Sequence, residues 1–200
     1  MPMLSGIKVV ELTNMITAPL CGMMLADLGA EVIKVENPKG GDLFRNWRGG
    51  TYSAQFGAYN RNKRSITLDI RSEAGAVILK KLIDDADILL QNFRPGVMGR
   101  LGFARDQMMR RNPKLIHCSI SGFGEDGPYC DRPAYDSVAQ ALSGVSSLFL
   151  DPEAPQFTGP TVVDNATGMY ACYGILGALF ERERTGKARH LDINMLEAGI

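Results

Sequence analysis

The feature that most constrains this chain is its alternation of short β-branched runs with amphipathic segments. Ile7 to Leu12 (IKVVEL) reads as a strand. After a loop over residues 13–18, Pro19 reads as the N1 proline of a helix that runs to about Leu28 and stops at Gly29. Glu31 to Val35 is a second strand, completing a βαβ unit. Further strands are expected at Ser65–Ile70, Asp87–Gln91, Leu115–Ser119 and His190–Met195. Ser72 caps a helix over Glu73–Asp85, and two more helices are expected from about Tyr135 to Leu142 and from about Asn165 to Arg184. Such alternation predicts an α/β fold with a mostly parallel sheet and flanking helices.

Composition narrows the function classes. Lys plus Arg total 22 and Asp plus Glu total 22, so the formal charge is zero. A nucleic-acid binder normally carries a basic surplus, and a disordered chain lacks the 45% hydrophobic content found here. The most apolar stretch, Met169 to Phe180, is interrupted by Gly174 and Gly177 and is too short for a membrane span of about 20 residues. The N-terminus does not read as a signal peptide. Four scattered cysteines and two histidines leave little for a metal site, so no metal is expected, and the default is a reduced cytoplasmic protein. The chain ends on Glu197-Ala198-Gly199-Ile200 without capping or tail character, which reads as a truncation.

Three features invite chemistry, each beside a plainer reading. Gly122-Phe123-Gly124-Glu125-Asp126-Gly127 matches G-x-G-x-x-G after a strand, but Pro128 and Pro133 deny it the helix that a dinucleotide pyrophosphate needs. Asp164, before the long helix, reads either as an N-cap or as a nucleophilic carboxylate, ionised at neutral pH if its pKa is the ordinary ~3.9. Lys63, Arg64, Arg71, Arg94 and Arg100 lie near strand ends, where they form either a solvated surface or a phosphate-neutralising cluster. The loop over residues 37–62, with Gly40, Gly41, Gly49 and Gly50, is long enough to be functional or to carry short helices. His117, in mid-strand, reads as a packed core residue.

Several segments, in order, resemble the family III CoA-transferases, a group that includes formyl-CoA transferases, carnitine CoA-transferases and α-methylacyl-CoA racemases. They are Leu4-Ser5-Gly6-Ile7-Lys8-Val9-Val10-Glu11-Leu12, Leu25 to Glu36 (LADLGAEVIKVE), Asn62-Lys63-Arg64-Ser65-Ile66, Gln91-Asn92-Phe93-Arg94-Pro95-Gly96, Ser121-Gly122-Phe123-Gly124, and Gly174 to Leu179 followed by Arg184-Thr185-Gly186. The resemblance implies a Rossmann-like domain, of which residues 1–200 are the N-terminal, CoA-binding part, and subunits that interlock as a homodimer when full length.

It also implies the chemistry. CoA moves from an acyl-CoA to a small carboxylic acid through anhydride and aspartyl-CoA thioester intermediates, with coenzyme A as substrate and no tightly bound cofactor. The family's nucleophile falls on Asp164, and its CoA contacts on Leu68, Arg71, Asn92, Phe93 and Arg100. Met15 and Ile16 would line the pocket near the thioester. Formyl-CoA transferases carry Gln and Arg where Ile16 and Asn37 stand, which counts against formate or oxalate as the substrate and points to a larger or more apolar acyl group. Racemases of the family need a second acid/base group, a histidine where this chain has Tyr135. Tyrosine, whose phenol ordinarily titrates near ~10, is a poor base, so Tyr135 is expected to be a pocket residue and racemisation is disfavoured. A CoA-binding fragment without catalysis is the non-enzyme alternative.

Overall fold

The computed structural model describes residues 1–49, 52–151, 153–154, 156 and 159–200; Gly50 of the long loop lies outside the described residues. The strands are β1 (Lys8–Leu12), β2 (Glu31–Glu36), β3 (Arg64–Thr67), β4 (Ile88–Gln91), β5 (Ile116–Ser121) and β6 (His190–Asn194). The helices among the described residues are α1 (Thr17–Asp27), α2 (Ala54–Asn60), α3 (Glu73–Asp84), α4 (Val97–Arg100), α5 (Arg105–Arg111), α6 (Asp136–Ser143), α7 (Val145–Phe149), α8 (Val162–Thr185) and α9 (Met195–Ala198). The sheet order is β3-β2-β1-β4-β5-β6, and every pairing is parallel, so the expected α/β class holds.

Parallel sheets are covered on both faces, so their central strands carry apolar residues continuously. Ile88, Leu89 and Leu90 of β4 are all fully buried. Successive side chains point to opposite faces, which divides the core in two. Val9, Ile88, Leu90, Ile116 and Cys118 pack under α1 and α8 with Ala18, Leu25, Ala171 and Ile175. Val10, Leu12 and Leu89 face Leu79, Ile83, Met98, Phe103 and Met108 of the other layer. No helix of the described residues is long and apolar enough to cross a membrane.

Several boundaries differ from expectation for identifiable reasons. Helix α1 begins at Thr17, so Pro19 is its third residue, not its first; one of the four free amides of a helix start is simply missing there. Strand β3 ends at Thr67, where its register with Glu36 of β2 ends, leaving Leu68 one further bond, from its amide to the Glu36 carbonyl at 2.8 Å. The loop after β2 carries α2, and α7 occupies part of the stretch before α8. Ser72 caps α3 as expected, its hydroxyl accepting from Gly75 N at 3.1 Å.

Asp164 is not an N-cap. Helix α8 starts at Val162 with Thr161 as N-cap, and Thr161 makes no capping bond, so Asp164 is the third residue of the first turn. Gly168, one turn on, sets the height of that turn against α1. A Cβ there would lie 2.5 Å from the Thr17 carbonyl oxygen and 3.0 Å from Leu20, so any other residue would push the two helices apart. The start of α8 is thereby held beside the start of α1.

Candidate active site

In an open parallel sheet, ligands bind beyond the carboxyl ends of the strands where the order reverses direction. Here that point lies between β1 and β4, and two cavities open there. One, of about 210 Å³, is walled by Asn14, Met15, Ile16 and Thr17 after β1, by Asn92 to Pro95 after β4, and by Ser121, Gly122, Cys130 and Arg132 to Tyr135 after β5; Asp164 and Met195 complete it. The other, of about 390 Å³, is walled by Leu12 to Asn14, Glu36, Asn37, Lys39, Asp42, Leu68, Arg71 and Phe93, among others. Asn14 and Phe93 belong to both walls.

The structure therefore brings Asp164, Met15, Ile16, Asn92, Phe93 and Tyr135 around one cavity, with Leu68 and Arg71 on the adjoining one. It does not bring in Arg100, which is exposed on α4 and lines neither cavity. The cationic cluster also does not form. Lys63 is buried against Glu11, its Nζ 2.9 Å from Oε2, and Arg64 pairs with Glu31 at 2.6 Å at the start of β3. Both lie at the amino end of β3, away from the crevice. The glycine-rich segment from Gly122 to Gly127 leads into no helix before Asp136, as its prolines predicted.

The loop after β1 is tied down strongly. Asn92 uses its amide as a brace: Oδ1 accepts from Asn14 N at 3.0 Å, and Nδ2 donates to the Asn14 carbonyl at 2.9 Å. Met15 adopts φ +70°, a left-handed conformation unusual for a residue with a side chain. Its amide donates to Asp42 Oδ1 at 3.2 Å. Asp42 in turn pairs with Lys34 at 2.9 Å, and Lys34 Nζ also lies 3.0 Å from Glu11 Oε1. Burial would raise the Glu11 carboxyl, but Lys63, Lys34 and the Thr13 hydroxyl outweigh it and hold it below its usual value. A buried set of alternating charges thus fixes the floor on which Met15 and Ile16 stand.

Asp164 has the opposite environment. Burial, and then the like charge of Asp136, push its carboxyl up to about 7. The expectation of a fully ionised carboxylate at neutral pH is corrected accordingly: removing water from a charge disfavours it, and no cation pairs with Asp164 among the described residues. The free amides at the start of α8 act in the other direction, as helix N-termini favour anions. Asp136, itself buried, accepts from Asp164 N at 2.9 Å and from the side-chain amide of Gln140, which also donates to the Pro160 carbonyl at 3.0 Å.

Sequence reasoning missed Asp136, Gln140, Lys34 and Asp42. Asp136 looks like an ordinary acid in the first turn of a helix, and its partner is 28 residues away. His117 is buried as expected, its Nδ1 2.9 Å from Nδ1 of His190. Among the described residues no cluster of three or more His, Cys, Asp and Glu is arranged to hold a metal ion.

The chain matches known proteins along nearly its whole length. It is 40% identical to the succinate–glutarate CoA-transferase of Agrobacterium fabrum and 41% identical to the formyl-CoA:oxalate CoA-transferase of Streptomyces avermitilis. Each alignment covers 98% of this chain, but 52% and 48% of the relative, so the chain spans about half the length of these curated relatives. Among solved structures, a CAIB/BAIF family protein from Brucella suis superposes with a TM-score of 0.93 at 41% identity, covering 98% of this chain and 54% of that one. Residues 4–200 match CoA-transferase family III, and the chain belongs to that family.

Proposed function

We propose that this chain is the N-terminal, CoA-binding part of an enzyme that moves coenzyme A from an acyl-CoA to a small carboxylic acid, with Asp164 as nucleophile. The observation that carries the reading is the position of Asp164: a partly buried carboxylate with no cation paired to it among the described residues, on the wall of a cavity at the switch point of the sheet. The larger adjoining cavity, with Leu68 and Arg71, suits the bulk of CoA, and Phe93 at the junction suits the pantetheine arm. Arg100 would reach CoA only as a surface contact beyond the cavity walls.

The sequence of bonds is balanced by CoA itself. An Asp164 carboxylate oxygen attacks the acyl carbon, and the C–S bond breaks to give a mixed anhydride and CoA thiolate. The thiolate attacks the aspartyl carbonyl and expels the donor acid, leaving an aspartyl-CoA thioester. The acceptor carboxylate attacks that thioester, and the thiolate then takes the acceptor acyl group and releases Asp164. The first attack needs the carboxylate form of Asp164, and the anhydrides that follow need exclusion of water.

For the acyl group, the relatives' names include oxalate as well as succinate and glutarate at nearly equal identity. Ile16 decides between them in this reading. It is buried with Phe44 and Phe56 in an apolar cluster at the cavity wall, which favours an acid with a methylene chain over oxalate. Tyr135, with no histidine beside it on the cavity wall, favours transfer over racemisation.

We place the protein in the cytoplasm, in keeping with its four unpaired cysteines. A homodimer of full-length subunits is part of the proposal, supported by the exposed apolar side chains of Met169, Tyr170, Tyr173 and Phe180 on α8.

The test is a covalent trap. The full-length protein is incubated with succinyl-CoA, quenched with hydroxylamine and digested for mass spectrometry, with Asp164→Ala alongside. A hydroxamate on Asp164, absent from the variant, is the expected result. A folded, CoA-binding protein with Asp164 unmodified would overturn the assignment.

A further inference from the structure

The long helix that carries Asp164 begins without a cap of its own. The Thr161 hydroxyl accepts from the Asn165 side chain but caps no backbone amide, and the free amide of Asp164 is satisfied by a carboxylate from another helix, Asp136 at the start of α6. Asp136 is buried, 8% exposed, and is gripped on its other oxygen by the amide of Gln140, one turn along α6. Two N–H donors face it, the arrangement that suits an ionised carboxylate. A neutral acceptor would cap the amide equally well and would spare the site a second buried negative charge next to the nucleophile. The structure instead places like charge beside like charge.

We propose that Asp136 is a positioning residue for Asp164, fixing its backbone through the amide and, by repulsion, favouring the uncharged acylated form over the free carboxylate. The inference rests on the reading of Asp164 as nucleophile. When Asp164 becomes an anhydride or a thioester it loses its charge, and the repulsion from Asp136 vanishes. Only the resting carboxylate is raised in energy, so the first attack on the acyl-CoA gains driving force and the nucleophile gains basicity. The direction in which Asp136 moves the Asp164 carboxyl agrees with this, although burial is the larger cause.

Other charged or titratable groups surround the site. Arg94, Arg132, Tyr135 and Cys130 share the cavity wall, and α9 carries Glu197. Tyr59 reaches the neighbouring Asn165 from α2 at 3.4 Å. None of them makes a hydrogen bond to Asp164 among the described residues, whereas Asp136 bonds its backbone directly.

The test compares Asp136→Asn, Asp136→Ser and Asp136→Glu in the full-length protein, with succinyl-CoA as donor. The hydroxylamine trap on unaltered protein is run first; an unmodified Asp164 there sinks the nucleophile reading and says nothing against Asp136. With the trap positive, Asp136→Asn keeps an acceptor for the Asp164 amide but removes the charge. The ascending limb of kcat/KM against pH is expected to move at least half a pH unit toward acid, and the trapped hydroxamate to fall about tenfold at pH 8. KM for succinyl-CoA is expected to change less than twofold.

Asp136→Ser, a smaller uncharged acceptor, is expected to move the limb in the same direction and guards against poor folding of the Asn variant. Asp136→Glu retains the charge and is expected to keep the limb in place. A limb unmoved in both uncharged variants, or moved equally in Asp136→Glu, overturns the proposal and leaves Asp136 a helix cap alone.

Discussion

Two carboxylates near the carboxyl ends of the strands, Glu11 fully buried and Asp164 partly so, sit under opposite electrostatic conditions. Glu11, at the end of β1, is fully buried and contacted by two ammonium groups, Lys34 at 3.0 Å and Lys63 at 2.9 Å. Asp164, at the start of α8, faces Asp136 and has no cation paired with it among the described residues. Burial alone would push both carboxyls upward; the partners decide the outcome, holding Glu11 low and leaving Asp164 at about 7. A carboxylate enclosed by cations is stable and unreactive. One left without them is costly to keep and ready to be consumed by bond formation. The first arrangement builds the floor of the site, and the second supplies its reactivity in the mechanism proposed above.

The largest effect is expected from breaking the paired side of this contrast. Lys34→Met leaves Asp42 without an ammonium and Glu11 with only Lys63, and removal of one partner from a buried pair typically costs about 3–5 kcal/mol. Urea unfolding would measure it. A loss below about 1 kcal/mol would show that the network contributes little to the fold.

Neutralising the unpaired side should do the reverse. A carboxyl raised in the folded state binds protons more tightly there than in the unfolded chain, so its contribution to stability falls as pH rises from about 4 toward 7. Asp164→Asn should therefore stabilise the protein by about 2–4 kcal/mol at pH 8, with the gain shrinking toward pH 4 and turnover lost throughout. Thermal melts at the two pH values test the sign. Equal melting temperatures for variant and parent at pH 8 would contradict the raised carboxyl of Asp164.

The smallest effect is reserved for an exposed pair. Arg64 and Glu31 meet at 2.6 Å but are largely solvated, and Arg64→Ala should change stability by less than about 1 kcal/mol, less still in high salt. A loss comparable with that of Lys34→Met would mean that burial is not what separates the ion pairs of this protein.

The fold was legible because its signals are local. Runs such as Val9-Val10 and Ile88-Leu89-Leu90, and the cap at Ser72, act within a few residues, and alternation of helices with strands points to a parallel sheet, whereas the strand order depends on contacts far apart in the chain. The helix starts at Thr17 and Val162 were misread because neither has a side-chain cap to mark it; Asp164, the candidate cap, lies one turn too deep. Lys63 was legible as a cation but not as a buried one, since Glu11 lies 52 residues earlier. Asp136 carries no local sign of its role at all. Asp164 itself stood out only through the resemblance of the whole chain, with an N-cap as the plainer local alternative.

The two cavities also differ in where their walls lie along the chain. Every residue of the larger one falls between Leu12 and Leu101, whereas the smaller one needs Asp164 and Met195. During synthesis from the N-terminus, at roughly 5–20 residues per second, several seconds separate the last wall residue of the larger cavity from the arrival of Asp164 at the peptidyl-transferase centre. The nascent chain thus holds every wall residue of the larger cavity before it holds Asp164.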